Sequence, residues 1–309
     1  MSQPSAPPDL GDLLADVVRV AIMELRPRLI AAAFSGIRGE SENTRHADNF
    51  LSAHDMWMHQ RYRELLAQRL DSFVYASEEA DPAVVGTDPE PELCILVDPL
   101  DTSELAVRGL HGYTHVMAYS RALSRPVAAV VGDIYHIIQL YVASRDDDGS
   151  DRAYAVTSDG ARFPLTRRAP RRLSEALVTN FLMRPEQRFM PLSRQEKLVQ
   201  ALDRPGPDGK RRGRIGLDFG SVGLCHVAAG FTEAMVEFAK GFAVWDLAPG
   251  HYILEAAGGT VLDLNGDPLS LDYGLNSPAD IARAMRRRQK FVAAGNAELA
   301  AEIVVTLLG

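Results

Sequence analysis

Apolar residues recur at helical spacing from Leu10 to about Ala33, with Leu13, Leu14, Val17, Val18, Ala21, Ile22 and Leu25 on one face. That period predicts an amphipathic helix, which Pro27 is placed to kink or shorten. Residues 36–49 are polar and read as a loop. A second helix is expected from about Ser52 to Leu70, with Leu65, Leu66 and Leu70 turned inward. The pattern then changes to short apolar runs. Phe73–Ala76 reads as a strand, and Asp81 to Glu92, broken by Pro82, Gly86, Pro89 and Pro91, reads as a loop. Cys94–Val97, Tyr113–Ser120, Val127–Val131 and Ile134–Val142 read as further strands, with a charged hairpin or loop at 145–151. Such a succession predicts an antiparallel or mixed sheet.

The basic stretch Arg167–Arg172, interrupted by Pro170, marks the passage to a second half. The expected division is 1–165 and 166–309. Leu177–Phe181 is a strand candidate, Ser193–Leu202 a helix, and Arg204–Arg214 an exposed loop. From Phe219 the chain reads as a flexible turn and then a helix of small residues ending at Gly230. Ala234–Phe238 is a strand, and Leu247–Ala257 is a second small-residue helix, closed by Gly258 and Gly259. Small side chains on both helices predict close packing. Phe291–Ala294 and Ala297–Leu308 read as a last strand and a last helix, and residues 1–8 as a disordered tail.

The 309 residues suffice for one large domain or two packed ones. A net charge of -8 speaks against a nucleic-acid polymer as partner. It leaves an anionic small molecule open, because bound metal ions can supply positive charge. Cys94 and Cys225 lie in apolar runs and read as buried thiols. No apolar run is long enough to cross a membrane. Residues 1–9 are polar and proline-rich, without the apolar segment of a secretory signal, so a cytoplasmic location is expected.

The chemistry concentrates in Cys94–Ser103. Four apolar residues lead into Asp98 and Asp101, split by Pro99, then Thr102, Ser103 and the helix-forming Glu104–Val107. Carboxylates at a strand end suit hard cations, and a helix start offers unpaired N–H groups to an anion. The same residues also make an ordinary turn. Asp55, Glu78, Glu79, Asp98, Asp101 and Asp246 all fall at predicted element ends. Each alone reads as a cap or a surface charge; as a set they point to a site.

Asp98-Pro99-Leu100-Asp101-Thr102-Ser103 resembles the Asp-Pro-Ile/Leu-Asp-Gly-Thr/Ser motif of the inositol monophosphatase superfamily. Ser77-Glu78-Glu79 resembles its Gly-Glu-Glu. Trp245-Asp246-Leu247-Ala248-Pro249-Gly250, with Glu255 to Gly259, resembles its Trp-Asp motif, and Gly220-Ser221 with Val227–Gly230 the segment before it. The order is the family's, over about residues 50–300.

The resemblance implies an α/β (α+β) fold, a layered αβαβα sandwich, and a Mg²⁺-dependent phosphomonoesterase. Glu78, Asp98, the Leu100 carbonyl, Asp101 and Asp246 would hold two or three Mg²⁺, with Li⁺ inhibitory. Asp55 and Ser103 would orient and deprotonate the attacking water. The amides of Thr102 and Ser103 would hold phosphate, and Gly220, Ser221, Glu237 and Asp246 would face the substrate. Glu79 is assigned a supporting place. A homodimer acting on a small sugar or polyol phosphate is implied. The alternatives are a nucleotide phosphatase, a fructose-bisphosphatase, or a metal-binding pseudophosphatase.

The sequence departs from the pattern at Thr102, where the family has glycine, and in the segment before Asp55, where Arg45 is a candidate for the usual upstream base. His115 and His226 read as packed structural residues, Trp245 as the residue that fixes Asp246, Arg184 and Arg188 as solvated surface, and Arg283–Lys290 as a solvated helix face.

Overall fold

The computed structural model describes residues 9–45, 49–166, 171–206 and 208–308. The expected tail at 1–8 and most of the Arg167–Arg172 passage lie outside these residues. The chain opens with α1 (Leu10–Ser35), which runs unbroken through Pro27. A two-residue pairing of β1 (Glu40–Ser41) with β2 (Leu51–Ser52) leads to α2 (Ala53–Ala67). Then come β3 (Ser72–Ser77), β4 (Ala80–Gly86), β5 (Leu93–Asp101) and the one-turn α3 (Ser103–Ala106). A meander follows: β6 (Tyr113–Ser120), β7 (Arg125–Asp133), β8 (Ile138–Arg145), β9 (Asp151–Thr157) and β10 (Arg162–Pro164).

The remaining elements are β11 (Leu177–Asn180), α4 (Met190–Ser193), α5 (Glu196–Leu202), β12 (Arg214–Leu217) and α6 (Gly220–Ala229). They continue with β13 (Ala234–Phe242), α7 (Val244–Ala256), β14 (Thr260–Leu262), α8 (Pro278–Ala284), β15 (Gln289–Ala294) and α9 (Ala297–Leu308).

The first sheet has eight strands in the order β10-β9-β8-β7-β6-β5-β3-β4, antiparallel except where β3 and β5 run parallel. The second has five, β12-β11-β13-β15-β14, with β11 parallel to both neighbours. Three apolar clusters give the layering. One joins α1 and α2 to the first sheet through Leu14, Val18, Ile22, Tyr62, Ile95 and Val130. The second fills the space between the sheets with α6 and α7, whose small residues allow close approach. The third lies between the second sheet and α5 and α9. The result is the expected αβαβα sandwich, with its two central helices buried along most of their length.

Three sequence expectations need correction. The stretch from Asp81 is not loop throughout: Ala80–Gly86 pairs with β3 as an edge strand. Its side chains are mostly exposed, so it carries no apolar signal, and an edge strand tolerates Pro82. The expected Ser193–Leu202 helix begins only at Glu196, as α5, because Ser193 ends the separate turn of α4. Arg283–Lys290 is not a helix face, because α8 stops at Ala284 and Gln289 already belongs to β15.

Candidate active site

β3 and β5 run parallel and release the chain at the same edge, and α2, α3 and α7 begin there. Ligand sites commonly form beyond the carboxyl ends of parallel strands. Ser52 caps α2, and Asp55 stands three residues on. The backbone N–H and hydroxyl of Ser52 donate to Asp55 Oδ2 at 2.7 and 2.6 Å. Its other oxygen accepts from the Ser103 hydroxyl, which also lies 2.7 Å from the Leu100 carbonyl oxygen. Asp55 is buried, which pushes its carboxyl above the usual range against the pull of the Ser103 and Ser52 hydrogen bonds.

Beside this pair, Glu78, Asp98, Asp101 and Asp246 converge. Asp98 is 1% exposed, and neither of its carboxylate oxygens has a hydrogen-bond partner. Asp101 Oδ2 and His115 Nε2 are likewise buried without a partner. Burial, then the neighbouring carboxylates, hold Glu78, Asp98 and Asp101 well above the ordinary carboxylate range. Asp246 is raised by burial, opposed by Arg288 and Arg188. Glu79 is pushed up to about 7 by burial and by Asp55, with Arg45 opposing. Buried polar atoms are nearly always paired, and crowded carboxylates repel. Orphaned carboxylate oxygens in such a cluster fit hard divalent cations, which take oxygen ligands. The orphaned oxygens belong to Asp98 and Asp101, and Glu78 and Asp246 stand close enough to raise their proton affinity.

The backbone around the cluster is specialised. Thr102 has φ 60° and ψ 38°, a left-handed conformation that is uncommon for a β-branched residue. This gives the physical content of the family glycine at that position. The Thr102 hydroxyl donates to the Asp101 carbonyl at 2.6 Å, and its amide is turned to the Asp101 carboxylate. Gly220 has φ +23°, and a Cβ there would stand 2.1 Å from Asp101 Oδ2. Ser221 is fully buried; its hydroxyl donates to the Asp246 carbonyl at 2.8 Å and accepts from Gly250 N–H at 3.0 Å. It ties α6 to α7 behind the cluster.

The carboxylates open into a cleft of about 160 Å³. Its lining combines Phe50, Phe181 and Met183 with four cations, Arg184, Arg188, Lys240 and Arg288. Arg188 is only 4% exposed, so its expected place on solvated surface is corrected. Its Nε lies 2.9 Å from Glu237 Oε2, in ion-pair contact but short of hydrogen-bond geometry. The guanidinium stacks 4.2 Å from the Phe181 ring and 5.3 Å from Phe242. Glu237 has no exposed surface, and its Oε1 accepts the N–H groups of Ala239, Lys240 and Gly241 at 3.0–3.1 Å. It therefore stands behind Arg188, where the resemblance had implied direct substrate contact.

Arg288 reaches within 3.5 Å of Asp246 and lies over the Trp245 ring. Sequence reading missed Arg288 and Lys240, which carry no local motif. His115 is buried as expected, but against carboxylates, 3.4 Å from Asp101. His226 is structural, pairing with Asp218 at 2.8 Å. A larger cavity of about 330 Å³ lies near Gly230, Thr232 and Leu299, with Glu233 as its one acid, paired to Arg171.

A bifunctional NADP phosphatase/NAD kinase of Methanococcus maripaludis is 26% identical over 218 residues, 69% of this chain and 37% of the relative. The Nus factor SuhB of Pasteurella multocida is 29% identical over 182 residues, 58% of this chain and 60% of that one. The matches thus span from about a third to three fifths of these relatives' lengths. The fructose-1,6-bisphosphatase of Leishmania major has a similar fold, with TM-score 0.68 and 13% identity, over 99% of this chain and 97% of that one. The model of the inositol monophosphatase family matches residues 16–304, nearly the whole chain and every carboxylate described above, so the protein belongs to the inositol monophosphatase family.

Proposed function

We propose that this protein is a Mg²⁺-dependent phosphomonoesterase that acts on small phosphate esters by water attack. The observation that carries this reading is the carboxylate cluster, with orphaned oxygens on Asp98 and Asp101, in a cleft that four cations also line. Divalent cations bound there would neutralise the phosphate, activate a water and stabilise the departing oxygen. Glu78, Asp98, Asp101, Asp246 and the Leu100 carbonyl would hold them.

Ser103 and Asp55 form a proton path. Asp55 keeps one oxygen on Ser52 and offers the other to the Ser103 hydroxyl. A water hydrogen-bonded to Ser103 Oγ can pass its proton to that oxygen as the hydroxyl proton moves to Asp55. The raised affinity of Asp55 for a proton suits this role. Arg288 and Arg188, set beside Asp246, place positive charge where the phosphate enters.

The cleft favours a particular branch of the sugar and nucleotide phosphates. Glu237 is buried and unable to read substrate hydroxyls directly, while basic and aromatic side chains stand among the cleft's lining residues. This combination supports an ester with a second anionic group, such as a nucleotide or a sugar bisphosphate. NADP and fructose 1,6-bisphosphate, named for two of the similar proteins, both carry one. The test is phosphate release from paired substrates with and without the second phosphate, with Mg²⁺ and with chelator, beside Asp98→Asn. Mg²⁺-dependent release lost in the variant, and faster on the bisphosphates, is expected. Release that persists in chelator refutes the mechanism, and equal rates across each pair refute the substrate class.

A further inference from the structure

His115 is the cross-strand partner of Asp98 in the β5–β6 pairing, so the two side chains leave the sheet on the same face. The ring is fully buried. Its Nδ1 lies 3.2 Å from the Trp245 carbonyl oxygen and 3.6 Å from Asp98 Oδ2. Its Nε2 lies 3.4 Å from Asp101 Oδ2 and has no hydrogen-bond partner. A neutral imidazole carries one N–H. The Trp245 carbonyl can only accept, so the proton belongs on Nδ1. Nε2 then aims a lone pair at a carboxylate oxygen, and two acceptors face each other across a buried gap. A cation between them removes that conflict. Asp98, Asp101 and His115 each offer a ligand atom, all within 4.8 Å of one another. The ring is also held in place: the Trp245 carbonyl fixes one edge, and Gly220 leaves its Cε1 just enough room, since a Cβ there would stand 3.2 Å away.

We propose that His115 Nε2 is a direct nitrogen ligand of the cation that Asp98 and Asp101 share, and that it moves this position's preference from Mg²⁺ toward Mn²⁺ and later first-row metals. The inference rests on the reading that the carboxylates hold cations. Mg²⁺ favours oxygen donors and keeps its waters, whereas an imidazole strengthens binding of transition metals. A site with a nitrogen donor beside its carboxylate oxygens therefore discriminates differently from an all-oxygen site.

Pulsed EPR of the full chain loaded with Mn²⁺ tests this without a variant. The expected spectrum shows the nitrogen coupling of a directly bound imidazole, changing from the ¹⁴N to the ¹⁵N pattern when the protein is made with ¹⁵N-histidine. His115→Gln is expected to lose the coupling, and calorimetry should show its Mn²⁺-to-Mg²⁺ affinity ratio falling by about tenfold. Mn²⁺ bound without nitrogen coupling overturns this inference and leaves the cation reading standing, with His115 reduced to orienting Asp101. Failure of the native protein to bind Mn²⁺ or Mg²⁺ at all overturns both.

Discussion

Replacing Arg188 by methionine tests how the cleft is built. The ion pair with Glu237 is out of solvent, with side-chain exposures of 4% and 0%, so screening by water does not weaken it. Removing one partner of a buried pair costs about 3–5 kcal/mol, mostly because the other charge is stranded. Glu237 keeps three backbone N–H bonds to Oε1, which places the expected loss at the lower end. Methionine fills much of the space between Phe181 and Phe242 but forfeits the cation–π contact, about 1 kcal/mol. The expected total for Arg188→Met is about 3–4 kcal/mol. Adding Glu237→Gln removes the stranded charge and should recover about 1–2 kcal/mol. Urea unfolding of the native protein, both single variants and the double variant in chelator measures the cycle. A loss below about 1 kcal/mol, or additive single effects, refutes the structural reasoning. The same Arg188→Met protein should lose about 10–100-fold in kcat/KM on an ester with a second phosphate, and much less on the ester without it.

Thr102→Gly should be more stable than Thr102→Ala by about 1 kcal/mol, because only glycine occupies the left-handed backbone without strain; equal unfolding midpoints would contradict the assigned φ. Gly220→Ala drives a Cβ into Asp101 Oδ2 and is expected to lower kcat at least about 100-fold with the fold retained by circular dichroism. The pH dependence follows from Glu78, Glu79, Asp98 and Asp101, whose folded pKa values lie above the unfolded ones. Their destabilising effect is absent below about pH 4, where both states are protonated, and grows as pH rises, through about 7 for Glu79. The chelated protein should therefore melt higher at pH 5.5 than at pH 8, and the stabilisation by Mg²⁺ should be larger at pH 8, where protons compete least for the carboxylates; a chelated protein that melts lower at pH 5.5 would contradict the buried cluster.

Local order along the chain determined much of this protein. Asp98 and Asp101 lie three residues apart at the end of one strand, so the sequence alone places both carboxylates at a single edge. Ser52 and Asp55 form a capping box that is legible for the same reason. The apolar periods announced α1, α2 and the central strands, because burial on one face leaves a repeating trace. Edge strand β4 left none, since its side chains are mostly exposed.

The tertiary structure alone decided what surrounds the carboxylates. Arg288 approaches Asp246 from 42 positions along the chain, and Arg188 meets Glu237 across 49, through β-strand pairings no local pattern encodes. Glu237 changed from a candidate substrate contact to a buried anchor because the fold sets Arg188 against it, while the nearby amides of its own strand hold its other oxygen. His115 kept its buried place but stands against carboxylates, because strand register set it opposite Asp98. Sequence periodicity reports which side chains leave water; which distant groups then share one desolvated space is fixed by strand order and helix packing.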